Sequence, residues 1–365
     1  MSKVLLLTNG FTIGGIETYI NRYLEYLPDN VDITIMSKSG LGGYYAESYA
    51  QKGAKVVIKR ISIWNIKDWL QFFFFLRLQK FSVVCDFTGI FGFHIMFISW
   101  TCRIKKRIVF FRGAANQFSD TVSRRITSML MRRINFIFCT DILFNSSAGK
   151  TFFYPNQKSN KLKVIKNGVF LNVNKNQRDL ATRVKGNSNN TFIVGNIARY
   201  AEVKNQVSII EMASIISQLN INIKFHIYGR GVVQNLSNIV VNKGLEDSVL
   251  LFDEVHPVFP VMKSFNMFVF PSFNEGQPNA LIEAMLLGLP CVVSNHPAIE
   301  EAVHRDMRKI CLFDPLDVSS FAEAIMKVYN NKLQYDTELV KEWAIKEYNP
   351  ILRFAEFSHA LGLKA

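Results

Sequence analysis

Between Phe270 and Asn295 the chain reads FPSFNEGQPNALIEAMLLGLPCVVSN, and two carboxylates, Glu275 and Glu283, stand eight residues apart within it. A carboxylate in a polar loop accepts hydrogen bonds from hydroxyl groups. A helix starting just behind that loop presents unsatisfied amides and a partial positive charge, which suit a phosphate. The amides of Gly276 and Asn279 are the expected donors, and Glu283, more than a turn further on, reaches a different part of one extended ligand. A second pair of charges, Arg199 and Lys204, lies five residues apart behind another apolar run. Arg grips two oxygens at once and Lys acts as a point charge, the combination a diphosphate requires. Taken singly, each of these side chains reads as an ordinary solvated charge. Their agreement is what points to a site.

Such groups need elements that bring them to one edge. The apolar strand Met267–Phe270 ends at Pro271, Pro278 opens a helix that Gly288 closes, and a further strand follows at 290–294. Pro at a helix start and Gly just past its end mark genuine helix boundaries. Residues 191–216, TFIVGNIARYAEVKNQVSIIEMASII, repeat the order strand, loop, helix and place Arg199 and Lys204 at the strand's carboxyl end. FHIYGRG predicts a strand running into Gly229 and Gly231. Near the start, KVLLLTNGFTIGGIETYI predicts a strand covered on both faces, a turn at Gly14 and Gly15, and an amphipathic helix. Glycine in that turn lets backbone approach a phosphate closely. VDITIMS and AKVVIKR continue the alternation, so the fold class is α/β with doubly wound parallel sheets.

The stretch holding Glu275 and Glu283 resembles the E-x7-E signature of glycosyltransferase family 4, retaining enzymes of the group 1 type with the GT-B architecture. The likeness extends to the prolines and small residues around both acids. It implies two Rossmann-like domains facing across a cleft, with a C-terminal helix that crosses back to the first. It also implies roles. Glu275 would meet the donor sugar hydroxyls and Glu283 the nucleotide ribose. Arg199 and Lys204 would meet the diphosphate, after the family's G-R-x4-K motif, although Asn196, Ile197 and Ala198 separate Gly195 from Arg199 here. Gly229 matches a G-x-G turn facing the nucleotide, and Gly15 lies in GGIE, similar to the family's GG-x-E. Where the family often carries His-Gly beside the donor sugar, this chain has Arg112-Gly113, so no general base is assigned. The implied domains are an acceptor-binding domain at 1–170, a linker at 171–190 entered through Lys166-Asn167-Gly168-Val169, a nucleotide-sugar domain at 191–345, and the returning helix at 346–365.

Composition bears on partners. A chain of 365 residues with 49% hydrophobic content suffices for two cores. The net charge of +14 is uneven: residues 1–170 carry 24 Lys/Arg against 9 Asp/Glu, and residues 171–365 carry 19 against 20. Such a first half suits an anionic lipid surface or a phosphorylated acceptor, or is simply a solubilising surface. Nucleic acid is not expected, because no recognition helix, RRM or zinc pattern accompanies the charge. Basic groups concentrate at Arg103 to Arg107 and at Arg124, Arg125, Arg132 and Arg133. The segment 63–81, IWNIKDWLQFFFFLRLQKF, predicts a helix apolar almost all round, suited to core burial or to a membrane interface.

The chain opens in a strand rather than a secretory leader. Residues 81–102, interrupted by Asp86 and His94, read as a buried strand and helix rather than a membrane span. Five scattered Cys without CxxC spacing read as reduced thiols in a cytosolic protein. With no DxD and no ligand-spaced cluster, the expectation is no metal, and no cofactor beyond a nucleotide diphosphate sugar as donor substrate.

The expected function is a retaining, metal-independent glycosyltransferase. It would move a sugar, from UDP in the first instance, to a lipid-linked or saccharide acceptor in capsular, O-antigen or exopolysaccharide synthesis. It would sit peripherally at the inner face of the plasma membrane. The alternative is a non-catalytic nucleotide-sugar-binding or scaffold subunit.

Overall fold

A computed structural model describes residues 2–27, 30–114, 121–169 and 191–363; the linker expected at 171–190 lies outside the described residues. The chain divides into two compact units, Met1–Gly168 with Pro350–Ala365, and Val169–Asn349.

The first unit is built on a seven-stranded parallel sheet of β1 (Ser2–Thr8), β2 (Val31–Ser37), β3 (Lys55–Ile58), β4 (Val83–Asp86), β5 (Lys106–Phe111), β6 (Asp141–Phe144) and β7 (Leu162–Val164), in the order β3-β2-β1-β4-β5-β6-β7. Helices cover both faces, which is why its central strands are apolar along their length rather than alternating. Along β1, Val4 and Leu6 enter one core while Leu5 and Leu7 enter the other, all fully buried. Each such side chain contributes on the order of 1.5–3 kcal/mol. The Pro350–Ala360 helix belongs to this unit. Its Phe354 and Phe357 pack on Tyr19 and Tyr23 with ring centres 5.4 and 4.8 Å apart, and Ser358 shares a 2.9 Å hydrogen bond with the Tyr23 hydroxyl.

The second unit has six parallel strands, β8 (Phe192–Ile197), β9 (Ile223–Tyr228), β10 (Val249–Phe252), β11 (Met267–Phe270), β12 (Cys291–Ser294) and β13 (Leu312–Phe313), in the order β10-β9-β8-β11-β12-β13. Met267 and Val269 of β11 face one core and Phe268 and Phe270 the other. In both sheets the chain returns to the strand it started from and then builds outward on the other side. The order therefore reverses between β1 and β4 and again between β8 and β11. In open α/β sheets, ligands bind outside the carboxyl ends of the strands at such a reversal.

Two expectations change. The run Arg103 to Arg107 is not all free surface. Lys106 pairs with Asp141 at 2.9 Å, and the Arg107 guanidinium donates to the Phe138 and Ile104 carbonyls, because β5 starts at Lys106 and sets one side chain beside a carboxylate and the other against neighbouring backbone. The aromatic helix, Ile66–Gln79, is neither wholly core nor wholly exposed: Phe72 and Leu76 are buried while Ile66, Leu70, Phe74 and Leu78 stand in solvent. Residues 81–102 form β4 and the Phe93–Thr101 helix, and no helix among the described residues is long and apolar enough to cross a membrane.

Candidate functional site

The loops leaving β8 and β11 meet at the carboxyl edge of the second sheet, where its strand order reverses. Lys204 ends a short turn, Glu202–Lys204, in the loop after β8, and Glu275 lies in the loop after β11. Their side chains touch, Lys204 Nζ to Glu275 Oε1 at 2.5 Å, with 18% and 10% of the two side chains exposed. Seventy-one residues separate them in sequence.

Backbone and polar side chains hold the two loops together. Phe273 donates its amide to the Val203 carbonyl at 2.8 Å. The Ser272 hydroxyl stands 3.0 Å from that same carbonyl and 2.9 Å from Glu275 Oε1, so its single proton serves one of them at a time. Asn205, in the left-handed conformation that Asn tolerates, donates to the Pro271 and Pro315 carbonyls at 3.2 and 2.9 Å. Ser294 donates to the Ser272 carbonyl at 2.5 Å. Ser272, Asn205 and Ser294 were not anticipated. Ser272 lies two residues past β11, Ser294 ends β12 and Asn205 follows the Glu202–Lys204 turn, places where small polar residues are ordinary.

Both bonds to Glu275 fall on Oε1, and Oε2 has no hydrogen-bond partner among the described residues. Two donors of the Lys204 ammonium remain for other acceptors. Beside Glu275, Asn274 Oδ1 is buried without a partner among the described residues. A buried polar atom left unsatisfied is costly, and a bound ligand is one way to satisfy it. Burial pushes His296 below its ordinary value against the opposing pull of the Glu275 carboxylate, so a neutral imidazole stands near the pair at pH 7.

The helix Asn279–Leu286 starts four residues after Glu275. Pro278 occupies its N-cap position and supplies no side-chain cap, so Gly276 and Asn279 lie where a helix N-terminus can meet an anion. Glu283 is buried on this helix. Arg199 is exposed just beyond β8. Gly229 follows β9 at φ +151°, and a Cβ there would come within 1.9 Å of the Ala198 carbonyl oxygen, so only glycine lets the β9 turn lie against the Arg199 loop. The structure thus gathers Lys204, Glu275, Gly276, Asn279, Arg199 and Gly229 on the loops at the carboxyl ends of β8, β9 and β11, with Glu283 inside the following helix.

Gly15 belongs to the first unit, at the start of the Gly15–Tyr23 helix, and a Cβ there would meet nothing within 4 Å. The crowded position is Gly14, whose Cβ would lie 2.6 Å from Glu17 Oε2. Arg112, which the resemblance sets where a histidine is expected, lies against the rings of Tyr19 and Phe110 at 4.2 and 4.9 Å, with Nη1 buried and without a hydrogen-bond partner among the described residues. Burial lowers its pKa to about 10, so it stays a cation at neutral pH and cannot accept a proton as a base.

Residues 189–331 match the family model of glycosyl transferases group 1. The chain is 31% identical to the UDP-Gal:alpha-D-GlcNAc-diphosphoundecaprenol alpha-1,3-galactosyltransferase of Escherichia coli over 182 residues, 47% of this chain and 46% of that protein. It is 24% identical to the capsular polysaccharide biosynthesis glycosyltransferase CapH of Staphylococcus aureus over 78% of this chain and 79% of that one. The chain spans about half the length, or less, of most curated relatives it matches. Among solved structures, HepE of Anabaena in complex with UDP-glucose superposes with a TM-score of 0.80 at 17% identity, covering 99% of this chain and 100% of that one. The galactosyltransferase WaaB of the lipopolysaccharide outer core gives 0.67 at 16% identity, with 99% of each chain covered. The fold is that of the GT-B structures.

Proposed function

We propose, from the premise that residues 189–331 belong to the group 1 glycosyl transferases, that this chain is a retaining glycosyltransferase taking its sugar from a nucleotide diphosphate donor, with UDP as the nucleotide. The observation that carries the reading is the meeting of Lys204 and Glu275 at the strand-order reversal of the second sheet. As the glycosidic bond breaks, negative charge grows on the leaving diphosphate, and Arg199, Lys204 and the amides at the start of the Asn279–Leu286 helix are arranged to meet it. Glu275 Oε2 takes the sugar hydroxyls and Glu283 the ribose, after the family resemblance. Retention follows from the same resemblance, the incoming hydroxyl arriving on the face from which the diphosphate leaves. No step in this reading calls for a metal ion or a further cofactor.

A UDP-sugar is supported by the HepE complex with UDP-glucose and by the E. coli relative that uses UDP-Gal. A lipid-linked or saccharide acceptor in surface polysaccharide synthesis is supported by that relative's diphosphoundecaprenol acceptor and by CapH. A lipid-linked acceptor would be met at the inner face of the plasma membrane, where the basic first half suits anionic lipid.

The test is a thermal-shift panel of UDP, GDP, ADP and CMP with their sugar conjugates, on the wild type and Glu283→Ala. Stabilisation by UDP that Glu283→Ala loses is the expected result. Silence across the panel in a folded protein would sink the reading. A second reading, a non-catalytic donor-binding subunit, is favoured by Arg112, which removes the one position where a family histidine is expected. It predicts UDP-sugar binding with neither transfer nor donor hydrolysis.

A further inference from the structure

Three helices on one side of the first sheet leave apolar side chains in solvent. In Ile66–Gln79 the exposed residues Ile66, Leu70, Phe74 and Leu78 recur at every fourth position and are 53% to 78% exposed, so they form one stripe. The Val122–Phe138 helix buries only Asn135 and exposes Val122, Ile126, Met129, Leu130 and Ile137, which share one face of a 3.6-residue helix. Between the two, Phe93–Thr101 touches both and exposes Phe97 and Trp100, whose rings lie 5.2 and 5.1 Å from that of Phe138. The inner residues of these helices, Phe72, Leu76, Ile95 and Met96 among them, share one core against the sheet, so their outer faces make a continuous surface.

An apolar surface of this extent on a monomer marks a contact, and the charge around it indicates with what. The three helices carry Lys67, Arg77, Arg124, Arg125, Arg132 and Arg133 against Asp68 alone. Arg103 and Lys105 are exposed just beyond the Phe93–Thr101 helix. Trp64, 88% exposed ahead of the first of these helices, and Trp100 add the amphipathic rings that favour the headgroup zone of a bilayer. Apolar stripes flanked by arginine are the pattern of helices that lie in a membrane interface.

We propose that this face is a peripheral membrane-binding surface, which seats the outward stripes of the Ile66–Gln79 and Val122–Phe138 helices in the headgroup region of an anionic bilayer. It gives a location to the membrane contact that the transferase reading calls for and rests on that reading only for its purpose. The test uses neither donor nor acceptor.

The full chain is sedimented with phosphatidylcholine vesicles, with and without phosphatidylglycerol. One variant combines Leu70→Ser, Leu78→Ser, Ile126→Ser and Met129→Ser; another combines Arg124→Gln, Arg125→Gln and Arg133→Gln. The wild type should bind the anionic vesicles far better than the neutral ones and release them in high salt. The apolar variant should lose at least about tenfold in binding, and the charge variant on the order of fivefold per charge removed. All of these positions are exposed, so unfolding midpoints should not move, and both variants should keep the wild-type response to UDP. Absence of binding to anionic vesicles, or binding that the apolar variant retains, overturns the proposal. A dimer that the apolar variant dissolves, with no lipid binding, assigns the face to a second copy and overturns it equally.

Discussion

Each sheet carries a lysine–carboxylate pair at its carboxyl edge, close to where its strand order reverses, and the two pairs differ in a way that separates scaffold from site. In the first unit Lys38, just after β2, meets Asp86 at the end of β4 at 2.7 Å, and the side chains are 7% and 0% exposed. Lys38 also donates to the Thr88 hydroxyl at 2.6 Å, and Asp86 accepts from the Thr88 amide and hydroxyl. That pair is closed and bonded on every side. In the second unit the Lys204–Glu275 pair is shorter and more open, has a carboxylate oxygen without a hydrogen-bond partner among the described residues, and stands beside a helix start that its N-cap residue, Pro278, does not cap with a side chain. Nearly the same chemistry at equivalent edges is closed in one unit and keeps donors and acceptors to spare in the other.

The comparison can be broken by mutation. The largest effect is expected from Asp86→Ala, which strands the Lys38 charge in the interior and should cost about 3–5 kcal/mol in urea unfolding. A loss under 1 kcal/mol would mean that the first pair is no fastening. Lys204→Ala and Glu275→Ala should instead lower sugar transfer by about 10²–10³-fold, and each should cost less stability than Asp86→Ala because this pair keeps some contact with solvent. If either unfolds the protein, the second pair is scaffold too. Next comes Gly229→Ala, whose Cβ must displace the Ala198 carbonyl. It should cost about 1–3 kcal/mol and weaken UDP binding, whereas Gly15→Ala should leave stability within about 0.5 kcal/mol.

The smallest effect is a pH dependence beside the first pair. His94 is buried with neither ring nitrogen hydrogen-bonded among the described residues, and burial lowers its pKa to about 3, helped by Lys38 and opposed by Asp86. The unfolded chain takes up this proton near pH 6.5 and the folded one only near 3, so stability falls as pH drops through that window. From pH 7 to 5.5 the loss should be about 1 kcal/mol, and His94→Leu should flatten it in denaturant titrations at the two pH values. An unchanged slope would show that His94 is not the proton acceptor.

Much of this was legible in the chain. Apolar runs bounded by glycine and proline marked the strands, because a strand buried on both faces admits few polar residues. Asp317 caps the Val318–Tyr329 helix through the Ser320 amide, as a carboxylate just ahead of an amphipathic run should. Glu275 and Lys204 were nameable because their spacing from strand ends is a local property, and Gly229 through its resemblance to the family's G-x-G turn. The two surface readings fared differently. Lys106 and Arg107 look like their exposed neighbours in sequence, and only the fold half-buried them beside Asp141 and the Phe138 and Ile104 carbonyls. The helix at 66–79 is apolar on nearly every side, so periodicity had no means of indicating which stripe the sheet would take.

By itself, the sequence determined the alternation of strands and helices, the glycines that close approaches demand, and the residue types available at each strand end. These follow from short-range sterics and from hydrophobic patterning. Only the tertiary structure decided that Lys204 and Glu275 touch, that Lys38 and Asp86 are sealed, that Arg112 is held between rings, and that one side of the first unit keeps its apolar stripes in water. Those outcomes depend on strand order and on which helix face each sheet covers. Strand order is set by long-range packing, and no local spacing encodes it.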